Sequence, residues 1–163
     1  MIGYGGFNIA GGTAALYCPN AGVKLTSTNV PALAAGTASR QGDSSVTPSV
    51  STGRLLLKPG TYQVRASLTI EGEFTSGTSG DAIGVVTGQL YKAGVAVAGS
   101  KGKAHTQAEG QPAVLSFGDI VEITAAQQRA GTNHVEFYLF GGDASGNDVI
   151  ISEGQITALR LDG

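Results

Sequence analysis

From Tyr62 to Ile70 the chain alternates without a break. Tyr62, Val64, Ala66, Leu68 and Ile70 are apolar, and Gln63, Arg65, Ser67 and Thr69 between them are polar. A period of two puts every apolar side chain on one face, so this stretch predicts a strand with one buried and one wet side. The run Arg54, Leu55, Leu56, Leu57, Lys58 before it stops at the turn dipeptide Pro59-Gly60. Residues 74–81, rich in Ser, Thr and Gly, read as a loop. A strand is expected over 83–92, then Ala93-Gly94 as a hairpin turn and a short return strand over 95–97. Residues 102–109 are polar and fit an edge strand, and 113–117 leads through a turn at Gly118-Asp119 into 120–124. Further strands are expected over 135–140 and 155–161, and Val23 to Asn29 alternates well enough to start one early. Residues 124–130, ending at Gly131, read as a strand end and loop rather than a helix. Short strands with a turn signal every ~8–12 residues predict an all-β antiparallel sandwich or jelly roll.

Composition divides this picture in two. The 163 residues contain 26 Gly, and only 13% are charged, against an average of about 25%. Of the ten Lys and Arg and twelve Asp and Glu, just three lie in the first fifty residues: Lys24, Arg40 and Asp43. Residues 1–50 are therefore expected to form a low-charge N-terminal arm containing at least one strand, and 51–163 the sandwich domain. Neutral small residues can lie flat on another protein without desolvating charge, so the arm is expected to order against a partner. A loose leader is the alternative. Its bulky side chains Tyr4, Phe7, Ile9, Leu16 and Tyr17 are the candidate anchors.

Several functional classes are disfavoured. No apolar run approaches the ~18–20 residues of a membrane span, and the start lacks the pattern of a secretory signal. A formal charge of −2 with no basic run gives no footprint for nucleic acid. One cysteine, Cys18, excludes an intrachain disulfide, and it reads as a buried free thiol. His105 and His134 have no acidic or thiol neighbour at ligand spacing, whereas zinc takes three or four ligands. Asp143, Ser145, Asn147 and Asp148 around Gly146 resemble part of a calcium loop, yet position twelve of that pattern falls on Gly154, beside Glu153. The same residues suit a tight hairpin, the preferred reading. Glu71 and Glu73 read as a solvated strand end. No catalytic residue, metal site or cofactor is expected, and the chain is not expected to be an enzyme.

Three short motifs, in order, carry a family resemblance. The segment Lys58-Pro59-Gly60-Thr61-Tyr62-Gln63-Val64 resembles the glycine–tyrosine strand start of the tumour necrosis factor and complement globular-head superfamily. The segment Gln89-Leu90-Tyr91-Lys92-Ala93-Gly94 resembles its hairpin, and Leu115-Ser116-Phe117-Gly118-Asp119-Ile120-Val121 its turn before the penultimate strands. The likeness covers about residues 52–163; the collagen stem of that family is absent, since no Gly-X-Y period occurs. It implies a jelly roll that forms homotrimers, of the kind found in phage capsid decoration (cement) or head-fibre proteins.

One feature bears on assembly without that resemblance. Val135, Phe137 and Leu139 share one face of their strand, and Tyr138 and Phe140 the other. Apolar residues on both faces mean that both are covered, so Tyr138 and Phe140 are the candidate trimer contact; cover by the chain's own arm is the alternative. The expected function is a non-enzymatic structural virion protein. It would be a trimer, made in the host cytoplasm without a signal peptide, whose arm holds the major capsid protein on the capsid surface. The alternative is a receptor- or glycan-binding tip of a phage or bacterial fibre.

Overall fold

A computed structural model describes the backbone of residues 13–25, 30–31, 37–41, 44–49, 52, 54–73, 84–106, 112–141 and 148–162, with side chains over 44–49, 52, 54–70, 86–105, 112–139 and 155–162. Strands β1 (Thr13–Leu25), β2 (Val30–Pro31), β3 (Thr37–Gln41) and β4 (Val46–Ser49) come first. They are followed by β5 (Arg54–Leu57), β6 (Gly60–Glu73), β7 (Gly84–Lys92), β8 (Val95–Ala96) and β9 (Gly102–Thr106). The chain continues with β10 (Ala113–Ile123), helix α1 (Ala125–Arg129), β11 (His134–Gly141) and β12 (Asp148–Arg160).

These form two antiparallel sheets. The first runs β10-β6-β12-β1-β3 and the second β4-β5-β11-β7-β8, with β9 also on β7 and β2 also on β11. Most neighbours in space, such as β1 with β12 and β5 with β11, are distant in sequence, as in a sandwich whose chain crosses repeatedly between layers. The alternation in β6 is realised as expected: Tyr62, Val64, Ala66, Leu68 and Ile70 are all buried. They meet Val135, Phe137 and Leu139 of β11, with Leu55, Leu57, Val86 and Leu90, in one core between the layers. The ring of Phe117 on β10 meets that of Phe137 on β11 edge-on, centroids 5.5 Å apart, which links the two sheets directly. The hydroxyl of fully buried Tyr62 donates to the carbonyl of Lys58 at 2.9 Å, fixing the turn at Pro59-Gly60.

Two local expectations are corrected. Gly118-Asp119 is not a turn, because β10 is continuous from Ala113 to Ile123 and pairs residue for residue with β6. The glycine serves packing instead: a Cβ at 118 would run into the carbonyl of Val64 on the paired strand. Residues 125–129 do form a helix. Thr124 accepts from the Gln127 backbone while the Gln127 side chain accepts from the Thr124 backbone, a reciprocal cap that sustains one short turn.

The Ala93-Gly94 hairpin turn forms, with φ of 49° and 79°, the doubly positive backbone that matches strand twist. Of the edge strand expected over 102–109, Gly102–Thr106 forms β9 on β7, and 107–109 lie outside the described residues.

The expected division at residue 50 is crossed by strand pairing. Thr13–Leu25 lies between β12 and β3 inside the first sheet, and Val46–Ser49 pairs with β5 in the second. Low charge over those stretches suits strands inside sheets, and residues 1–12 lie outside the described residues.

A candidate interaction surface

The outward face of β11 gathers the groups most suited to a contact. Register sets Glu136 opposite Tyr91 of β7 and Tyr138 opposite Gln89, so Tyr91 and Tyr138 are diagonal neighbours on one face. Their rings lie 4.3 Å apart between centroids at 54°, a tilted pair, and both side chains are half-buried. Arg54 of β5 reaches the same face, and its Nε donates to Glu136 Oε2 at 2.8 Å. Glu136 is only 3% exposed although it points away from the core; the tyrosines and the Arg54 side chain cover it. Tyr138 is hydrogen-bonded to Glu136, and burial first, then the Glu136 charge, push its phenol above the usual value.

His134 continues this face toward the helix, opposite Leu56, which is 39% exposed. Burial, and next the Arg54 cation, hold its imidazole below the ordinary value against the opposing pull of Glu136. Gln89, opposite Tyr138 in the register, is itself held by the short segment that follows β8. Gln89 Nε2 donates to the Val97 carbonyl at 3.3 Å, and Ser100 Oγ donates to the same carbonyl at 2.8 Å. The result is a band of Tyr, Arg, His and Leu over a buried carboxylate, and Tyr and Arg are among the residue types that dominate protein contacts when truncated.

Of the residues named from sequence, Tyr138 stands at the centre of this surface. Phe140 pairs with Thr87 in the same strand, and its side chain lies outside the described residues. Tyr4, Phe7 and Ile9 lie outside the described residues altogether, as do Asp143, Ser145 and Asn147 of the loop. Leu16 and Tyr17 stand in β1 opposite Ile156 and Gln155, with side chains outside the described set, as is that of Cys18. His105, exposed on β9, and His134 on β11 are not brought together with a third ligand, and no cluster of His, Cys, Asp and Glu able to hold a metal forms among the described residues. Arg54 and Tyr91 are not among the contact residues expected from sequence. The signal for Tyr91 was its place on the outward parity of a strand whose Leu90 points inward.

No protein-family model matches the chain, and no curated protein matches it. Among solved structures, the fold is similar to that of the PRD1 vertex protein P5. The TM-score is 0.54 at 15% identity, over 93% of this chain and 73% of that one. The likeness establishes a shared all-β fold across nearly the whole length.

Proposed function

We propose that the chain is a non-enzymatic structural virion protein, a jelly roll that assembles as a homotrimer and decorates the outer surface of a phage capsid. The observation that carries the reading is the shared fold, over nearly the full chain, with a protein named for a phage vertex. Strand order supports a jelly roll, since β10-β6-β12-β1 faces β5-β11-β7-β9, each sheet drawing its strands from both halves of the sequence. The tyrosine and arginine band supports a subunit contact centred on Tyr138. Tyr4, Phe7 and Ile9, on a glycine-rich stretch without charge, suit an arm that anchors in pockets of the major capsid protein. Three such arms per trimer would add avidity on a repeating lattice.

The test is quantitative mass spectrometry of gradient-purified particles encoded with this chain, separated into heads and tails. The reading predicts the chain in the head fraction, in a fixed ratio to the major capsid protein. Its presence in tails alone would favour a fibre tip instead.

A further inference from the structure

The outer face of the first sheet carries an open groove of about 610 Å³ between β10, β6 and β12. Register explains its shape. Ser116 stands opposite Ser67, Gly118 opposite Arg65 and Ile120 opposite Gln63, while Ser67 and Arg65 face Gln155 and Thr157 on the other side. Small side chains form the floor, and long ones stand around it. The floor is built in, because a side chain at Gly118 would collide with the Val64 carbonyl.

The chemistry of the lining is specific. Hydroxyls of Ser67 and Ser116 lie 3.5 Å apart, and each can both donate and accept. Amides of Gln63 and Gln155 extend that capacity to the groove walls. Arg65 is exposed, and among the described residues no carboxylate lies within ion-pair distance of its guanidinium. Asp119 at the rim is engaged by its neighbour's backbone, its Oδ1 accepting from the Ile120 amide at 2.7 Å. Ile120 offers an apolar wall, 59% exposed.

We propose that this groove binds a saccharide bearing a carboxylate, a uronic-acid unit. Vicinal hydroxyls match groups that donate and accept at once. A single planar guanidinium suits one carboxylate, which it can grip with two parallel hydrogen bonds. One cation, with a carboxylate at the rim, is poor equipment for a phosphate or a polyanion. The C–H face of a pyranose ring can lie against Ile120. The site is independent of the capsid reading and lies on the sheet opposite the Tyr138 surface.

The test is a titration of the isotope-labelled full chain with the methyl glycoside of galacturonate, which bears one carboxylate, followed by amide NMR, with its methyl ester as the uncharged control. The expected result is saturable shifts at Arg65, Ser67, Ser116 and Gln155, with Kd at or below about 10 mM. Esterification, and separately Arg65→Gln, should each weaken binding by about fivefold or more, the value of one charge-assisted pair. Absence of groove shifts at that concentration, equal binding of the ester, or an unaffected R65Q variant would overturn the proposal. So would a change in sedimentation of Ser67→Trp, which fills the groove, because the face would then be a contact between copies of the chain.

Discussion

The ring of Phe117 occupies the space that a side chain at Gly88 would fill. The two residues sit on facing sheets, Phe117 on β10 and Gly88 on β7, so the glycine lets an aromatic knob from one layer seat on the backbone of the other. Gly102 on β9 has the same role, since a Cβ there would press on Phe117 and the Ser116 carbonyl.

Gly88→Ala should therefore overpack the core. The expected loss is about 2–3 kcal/mol in urea unfolding, the upper part of the ~1–3 kcal/mol usual for inserting a methyl into a filled core, because the new Cβ would meet the Phe117 ring directly. The comparison is Gly94→Ala, where nothing lies within contact of the new methyl and only the positive φ of 79° is strained; it should cost about 1 kcal/mol. Equal losses at the two sites would mean that Phe117 yields and the glycine is not a packing requirement.

Tyr62→Phe removes one hydroxyl from a fully buried side chain whose partner carbonyl sits at the β5–β6 turn. The expected cost is about 1–2 kcal/mol, from a lost hydrogen bond and an under-satisfied carbonyl. Thermal unfolding at a single pH measures it, and an unchanged midpoint would contradict the role given to that bond.

Stability should also fall on mild acidification through His134. Its folded pKa is depressed, so the unfolded chain takes up the proton first. The contribution is present above the ordinary imidazole value of 6.5 and is lost as pH falls from there through the lower folded value. His134→Gln, which cannot titrate, should flatten that part of the stability–pH curve. A curve of unchanged slope would assign the acid sensitivity elsewhere.

How far the sequence reached depends on the range of the cause. The β6 strand was legible because burial of Tyr62 through Ile70 is written in a local period of two, and Ala93-Gly94 because its backbone demand is local too. The Gly118 position misled for a physical reason: its glycine answers to the Val64 carbonyl, a neighbour about fifty residues away in sequence, and looks like a turn without that partner. The helix at 125–129 is only five residues long and rests on a cap rather than on an apolar stripe, so periodicity passed over it. The outward place of Tyr138 could be read from parity alone. That Tyr91 and Arg54 stand beside it could not, because cross-strand register, which no local window contains, brings them together.

If the Tyr138 face is the subunit contact, Tyr138→Ala should leave the inward face of β11 intact while removing the aromatic half of the band. The expected outcome is a folded chain whose sedimentation equilibrium shifts from trimer toward monomer at micromolar concentration, with Kd for assembly raised by about tenfold or more. A folded variant that stays fully trimeric would move the contact to another face.

The attachment of the chain to a capsid is tested most directly by co-sedimentation with undecorated capsids of its own particle, using the full chain and a variant lacking residues 1–12. That deletion ends before β1 begins at Thr13, so the sheet keeps its strand. The account predicts that the full chain pellets with capsids and saturates in multiples of three per site, while the shortened trimer stays in the supernatant. A full chain that fails to pellet would contradict capsid attachment, and a shortened chain that pellets equally well would show that residues 1–12 are not the anchor.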